Sequence, residues 1–295
     1  MRMRVGAVFP QTEIGADPAA IRKYATAVQD LGYDHLLTYE HVIGADPGYY
    51  HGWTGPYTMY SQFHEPMVLF GYLAAITSLE LVNGILVLPQ RQTVLVAKQG
   101  AEVDILTGGR YRMGVGVGWN PVEYEALDQD FGLRGKRIEE QIELLRELWT
   151  KPSVTHVGDF EKITAAGLNP LPVQRPIPIW MGADYPPGFR RAGRMADGWF
   201  PQMRPGPDLV AAKRIVDEAA REAGRDPDKI GMEGRIQYGP HGSDAVVDEA
   251  YEWERLGATH VCVNTMGANL PNVDEHIAAL SAVVRTDRRL VAASG

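Results

Sequence analysis

A carboxylate and an imidazole stand side by side in the segment Leu37-Thr38-Tyr39-Glu40-His41. An imidazole titrates close to neutrality, so this pair could pass a proton to a bound molecule or take one from it. If the segment ends a β-strand, Glu40 and His41 point to opposite faces, one into a site and the other supporting a loop. A second constellation is Gly114-Val115-Gly116-Val117-Gly118-Trp119-Asn120-Pro121. It reads as a strand, a glycine-rich turn and a helix start, with Asn120 as N-cap and Pro121 at the first helical position. Glycines let the backbone approach a ligand, and a helix start offers N–H groups to a polar or anionic one. The spacing is not G-x-G-x-x-G, because the third glycine would fall at Trp119 or Pro121.

Other strand ends and loops add to these. Asn83-Gly84-Ile85-Leu86-Val87-Leu88-Pro89 ends in apolar residues, suited to the flat face of an aromatic ring. Trp180-Met181-Gly182-Ala183 is followed by Asp184 and Pro186-Pro187-Gly188, a place for a phosphate on exposed backbone N–H groups. Arg190 and Arg191 follow within one helical turn, as anion contacts or as solvated charges. The loop from Pro47 to Tyr57 concentrates aromatic residues, among them Tyr50, Trp53 and Tyr57, which could close over an apolar ligand and exclude water. Several chemistries drop out. His64-Glu65 is followed by Val68 rather than a second histidine, no serine sits in G-x-S-x-G, and the histidines and Cys262 lack zinc-ligand spacing, so no metal is expected.

Short apolar runs alternate with amphipathic stretches along the chain, the pattern of a parallel sheet with crossover helices. The expected strands are Val5 to Phe9, His35 to Glu40, Leu81 to Leu88, Tyr111 to Val117, Ile177 to Met181, Gly198 to Met203, Ile230 to Tyr238 and Thr259 to Thr265. Helices are expected from Asp17 to Leu31, Glu65 to about Ser78, Val94 to Leu106, Pro121 onward, Gly135 to Trp149, Pro187 to Met195, Asp208 to Ala223, Ser243 to Leu256 and Val273 to Val284. Thr150 to Pro176 reads as a hairpin insertion. Eight βα units predict a single α/β domain over residues 1–295. Its class is a (β/α)8 TIM barrel with insertions after strand two and before strand five. In such barrels the functional groups gather at the C-terminal strand ends, where both constellations fall.

The charge balance, 29 Lys and Arg against 37 Asp and Glu, disfavours nucleic acid or an anionic membrane as the main partner and leaves small molecules. One cysteine, Cys262, cannot form an intramolecular disulfide and fits a reducing cytoplasm as a small buried hydrophobe. The basic N-terminus lacks an extended apolar stretch and a cleavage site, and no run approaches the ~20 apolar residues that span a bilayer.

The runs Thr38-Tyr39-Glu40-His41-Val42, Gly114 to Leu127, Pro178-Ile179-Trp180-Met181-Gly182 and Arg194-Met195-Ala196-Asp197-Gly198-Trp199 resemble the luciferase-like monooxygenase family. The likeness is strongest to its branch using the deazaflavin coenzyme F420. It covers nearly the whole chain. The resemblance implies that Glu40 and His41 lie beside the tricyclic ring, with His41 near the reacting carbon. It also implies a non-prolyl cis peptide between Ile85 and Leu86 that backs the ring. Val117, Gly118, Trp119 and Asn120 would contact the ring edge or side chain, and Met181, Gly182 and Ala183 would bind toward the phosphate. Members that oxidise a sugar phosphate carry a glutamate where this chain has Trp119 and a tryptophan where it has Ala45, so an apolar or planar substrate contacting Tyr50, Trp53, Tyr57 and Trp119 is expected instead. The implied activity is hydride transfer with reduced F420, Glu40 or His41 handling the proton. The alternatives are a two-component FMN monooxygenase and a non-catalytic deazaflavin-binding protein. Relatives of this kind pair as homodimers.

Overall fold

The computed structural model describes residues 2–291. Met1 and residues 292–295 of the expected domain lie outside them. Eight parallel strands close into a barrel: β1 (Arg4–Val8), β2 (His35–Tyr39), β3 (Glu80–Val87), β4 (Tyr111–Gly116), β7 (Ile179–Ala183), β8 (Gly198–Pro201), β9 (Gly231–Gln237) and β10 (His260–Asn264). Neighbours around the ring run β1-β10-β9-β8-β7-β4-β3-β2. The insertion before β7 carries an antiparallel hairpin of β5 (Val154–Val157) and β6 (Lys162–Ala166).

Nine α-helices among the described residues pack outside: α1 (Pro18–Asp30), α2 (Pro66–Ala74), α3 (Thr93–Thr107), α4 (Pro121–Ala126), α5 (Arg134–Thr150), α6 (Pro186–Met195), α7 (Pro207–Glu222), α8 (Gly242–Arg255) and α9 (Val273–Thr286). Their starts follow the local chemistry. Asp17 caps α1, Glu65 caps α2 and Asn120 caps α4 with side-chain oxygens, each followed by a proline whose missing N–H costs nothing there. The strand expected at Ile177 begins two residues later, at Ile179. Pro176 and Pro178 have no N–H for the ladder. Among the described residues no helix is long and apolar enough to cross a membrane.

Strand alternation sorts side chains into two cores. Leu86, Met181, Trp199 and their like face the helices, while Val8, Leu37, Val82, Trp180, Phe200 and Cys262 fill the lumen, with Tyr39 and Ile85 packed against them. One irregularity shapes the site. From Val82 to Leu86, β3 advances four residues while β4 advances three, Arg112 to Val115. On the other side Thr38 pairs with Asn83 and Tyr39 with Ile85, which leaves Gly84 as the extra residue of a bulge. The bulge turns the Asn83 carbonyl toward β4, where a Cβ on Gly114 would lie 2.1 Å from it. Gly114 thus serves the sheet rather than a ligand. The cis peptides among the described residues are Asn169–Pro170 and Arg175–Pro176. The Ile85–Leu86 bond is trans, contrary to what the resemblance implied, and the bulge that presents Ile85 is made at Gly84 instead.

Candidate active site

A cavity of about 570 Å³ opens at the C-terminal end of the barrel. Its lining comes from the ends of β2 (Tyr39, Glu40, His41), β3 (Ile85, Val87), β4 (Gly116 to Trp119), β7 (Gly182 to Tyr185) and β8 (Pro201, Gln202), and from Arg235 on β9.

His41 is held on all sides. Its Nδ1 lies 2.9 Å from Oε1 of Glu123, the third residue of α4, and the same oxygen accepts from the Val42 N–H at 3.0 Å. The other carboxylate oxygen of Glu123 accepts from Gln90 at 3.3 Å. A carboxylate serving three donors accepts at Nδ1, so the imidazole proton sits on Nδ1 and Nε2 remains to exchange with a ligand. The rings of Phe63, Tyr57 and Trp119 surround the imidazole, with centroids 4.7, 5.0 and 5.4 Å away.

Glu40 is oriented differently. Its carboxylate accepts from the Val87 N–H at 2.6 Å and pairs with Arg91, which also reaches Glu65 at 2.9 Å. Burial pushes the Glu40 carboxyl up, while Arg91 and the Val87 N–H pull it back toward the ionised form. Glu40 therefore ties the end of β2 to the end of β3 and fixes the bulge that presents Ile85.

Ile85 packs against the lumen core and forms part of the cavity wall. A Cβ on Gly116 would come within 2.6 Å of its Cγ2, and one on Gly182 within 2.3 Å of its Cδ1. Both positions are glycine because Ile85 occupies the space between them. The strand-end glycines thus admit a protein side chain that forms one face of the cavity.

Of the other residues expected in the site, Val117, Gly118, Trp119, Ala183 and Tyr57 line the cavity. Leu86 and Met181 face the helices instead, since they alternate with inward Ile85 and Gly182. Asn120 is buried as the cap of α4, accepting from the Val122 N–H at 3.1 Å. Tyr50 and Trp53 lie behind Trp119: the Trp53 ring is 5.9 Å from that of Trp119 and 6.0 Å from that of Tyr50, and the Trp53 Nε1–H is spent on the Tyr57 carbonyl. They brace the loop and do not line the cavity. The backbone phosphate site expected at Gly182 and Ala183 is weak, because Pro186 and Pro187 open α6 without N–H groups and the two strand residues pair with Phe200 and Pro201. Arg191 is turned away to Glu139 at 2.9 Å and the Gly135 carbonyl at 3.0 Å.

Three groups stand out that sequence reading passed over. Glu123 sits where an N-cap plus three acid normally serves its own helix, so its spacing pointed elsewhere. Arg134 lines the cavity with no carboxylate partner among the described residues. It lies over the Phe131 ring, and its buried Nε has no hydrogen-bond partner. Arg235 shares β9 with Glu233 at alternate positions, the signature of polar residues facing a lumen. At the base of the cavity Glu233 accepts from Arg112 at 2.6 Å and meets His35 Nε2 at 2.8 Å. Burial there works against the charge, but Arg112 and His35 outweigh it and hold the Glu233 carboxyl well below the usual range. Burial pushes the Cys262 thiol up, which keeps it protonated.

A family model described as luciferase-like monooxygenase matches residues 3–288. An F420-dependent glucose-6-phosphate dehydrogenase of Microbacterium testaceum is 26% identical over 258 residues, 82% of this chain and 70% of that protein. Among solved structures, the coenzyme F420-dependent tetrahydromethanopterin reductase from Methanopyrus kandleri superposes with a TM-score of 0.76 at 18% identity, covering 97% of this chain and 99% of that one. A riboflavin lyase with modified FMN and riboflavin superposes with a TM-score of 0.81 at 16% identity, covering 100% and 93%. These two structural likenesses establish the common fold.

Proposed function

This chain belongs to the luciferase-like monooxygenase family of enzymes, and from that premise we propose that it is an oxidoreductase exchanging a hydride between coenzyme F420 and an apolar or planar organic substrate. The observation that carries the reading is the His41–Glu123 pair at the wall of a largely apolar cavity. The cavity volume of about 570 Å³ lies within the range of cofactor and substrate sites. A flat ring needs an apolar slot, which Ile85, Val87 and Val117 provide. A phosphate-bearing side chain needs a cation not already neutralised, and Arg134 has both an unmatched charge and a buried Nε without a partner. Its neighbour Gly135 is bonded to Arg191 of α6, which puts Arg134 on the same rim as Ala183 to Tyr185. These residues fit a deazaflavin. Ile85, Val87, Val117, Gly118 and Gly182 would hold its ring, and Arg134 with Tyr185 its phosphate.

When bound, the deazaflavin supplies or accepts a hydride at a ring carbon. The protein's own part is positioning, proton transfer and exclusion of water. His41 Nε2 is the nitrogen available to carry the proton, because Glu123 fixes Nδ1–H. Glu40 acts through Arg91 and Val87 to hold the ring-facing bulge. Trp119, Tyr57 and Phe63 keep water from the imidazole. An indole at 119 cannot act as an acid, which speaks against sugar-phosphate oxidation and for an apolar acceptor. The names of the dehydrogenase and of the reductase support F420. The FMN in the riboflavin lyase supports FMN as the competing cofactor.

Titrating the protein with F420 and with FMN, and following quenching of ring fluorescence, tests the choice. Saturable F420 binding at micromolar or lower concentration is expected. Tight FMN binding without an F420 response would replace hydride transfer by oxygen chemistry, and a response to neither would end both readings.

A further inference from the structure

We infer that Arg235 builds an oxyanion subsite on the inner floor of the cavity, and that the substrate is an organic acid whose carboxylate docks there. The inference rests on the cavity being the active site proposed above and names the class of molecule it takes.

The argument is one of charge balance. Three buried carboxylates line the cavity, and each is already engaged: Glu40 by Arg91, Glu123 by His41 Nδ1 and the Val42 N–H, and Glu233 by Arg112 and His35. Arg235 has no carboxylate partner among the described residues. Its Nη1 donates to the Tyr39 hydroxyl and its Nη2 to the Gln202 side-chain carbonyl, both at 3.2 Å. These neutral acceptors aim the guanidinium without neutralising it. A guanidinium carries five N–H donors in a planar fork, so three remain for a ligand, and a carboxylate takes two in parallel. The Tyr39 hydroxyl, having accepted from Arg235, keeps its own proton to donate to the same ligand.

The surroundings strengthen the site. Leu37, Phe200 and Cys262 form the floor around Arg235, and an apolar wall raises the value of a charge-assisted bond. Arg235 is itself accessible from the cavity, so no side chain must move to expose it. Tyr57 links the two ends: its ring lies 5.0 Å from His41, and its hydroxyl lies within the field of the Arg235 charge. A molecule anchored by its carboxylate at Arg235 therefore extends along Tyr57 toward the imidazole. Arg134, the other cavity cation without a carboxylate partner among the described residues, opens α5 beside the end of β7 and is left to the cofactor.

Isothermal titration of the cofactor-free protein with cinnamate and with its neutral isostere cinnamamide tests this without any turnover. The acid should bind about 10-fold or more tightly than the amide. Arg235→Gln should bring the two affinities together, and Arg235→Lys should keep part of the preference. Arg134→Gln should leave the preference unchanged. Equal binding of acid and amide, binding of neither at millimolar concentration, or a preference that survives Arg235→Gln would overturn the subsite. F420 and FMN titrations of the same proteins separate the two questions. An acid preference without binding of either cofactor would remove the proposed function and keep the subsite. F420 binding without the preference would do the reverse.

Discussion

Oε1 of Glu123 lies 2.9 Å from Nδ1 of His41 and 3.0 Å from the backbone nitrogen of Val42, so one oxygen fixes both the ring and the chain that follows it. An amide at position 123 could keep a bond to Nδ1 but would lose the charge that favours an imidazolium during proton transfer. Glu123→Gln is therefore expected to slow single-turnover oxidation of reduced cofactor by about 10- to 100-fold. His41→Ala should slow it by about 100-fold or more, with cofactor affinity changed by less than about 3-fold. Stopped-flow decay of the reduced cofactor in the presence of substrate reads both. An unchanged rate in His41→Ala would remove His41 from the mechanism.

Gly182 and Ile85 form the second testable pair. A methyl group at 182 would lie 2.3 Å from the Ile85 Cδ1, which must then swing toward the cavity. Because only the end of a side chain has to move, Gly182→Ala should cost little stability, on the order of 1 kcal/mol. Cofactor affinity should fall by about 10-fold, the equivalent of one lost favourable contact region of ~1.4 kcal/mol. Adding Ile85→Ala removes the obstructing atoms and should restore part of that affinity. If Gly182→Ala binds cofactor like wild type, Ile85 is not a wall of the binding site.

These pairs mark where sequence reading stopped. The barrel was legible because proline at the first helical position and side-chain caps punctuate the chain, as at Asp17-Pro18, Glu65-Pro66 and Asn120-Pro121. Glu40 and His41 could be placed at the mouth because they end a strand. What each does was not legible, since Arg91 and Glu123 arrive from other βα units and no local pattern announces them. The glycines at 114, 116 and 182 invited a ligand-cradle reading, yet they accommodate the Asn83 carbonyl and Ile85, neighbours visible only once the sheet is closed. Arg235 left a fainter trace: Glu233 and Arg235 alternate in a strand that must turn one face into the lumen.

Glu40 offers a contrast with His41. Its carboxylate is buried against Arg91 and the Val87 N–H, and removing it leaves that N–H without its acceptor and Arg91 with only the more exposed Glu65. Glu40→Ala should cost about 3 kcal/mol of stability and lower Tm by roughly 5–10 °C. In the fraction that remains folded, the single-turnover rate should change much less than in His41→Ala. Calorimetry and stopped-flow measurements on the same preparation separate the roles. A stable Glu40→Ala protein with proton transfer abolished would make Glu40 the proton carrier.

The acid limb of the stability profile should trace in part to His260, at the foot of β10. Its ring lies 5.0 Å from Trp180, and Nδ1 is 2.8 Å from the Thr259 hydroxyl. Burial, reinforced by the nearby Arg112 charge, lowers its pKa to about 2. The unfolded chain has a histidine pKa of about 6.5, so below that pH the unfolded state binds a proton that the fold refuses. Stability from this residue is complete above pH ~6.5 and is lost progressively as pH falls toward about 2. With allowance for partial exposure, the loss between pH 7 and 5 should be about 1 kcal/mol. The depressed Glu233 carboxyl does not enter this window, because its contribution changes only below the unfolded glutamate value near 4.3. Urea unfolding at pH 7 and pH 5 should therefore show a smaller acid loss in His260→Gln than in wild type. Parallel losses in the two proteins would mean that the imidazole is protonated as readily in the fold as in the unfolded chain.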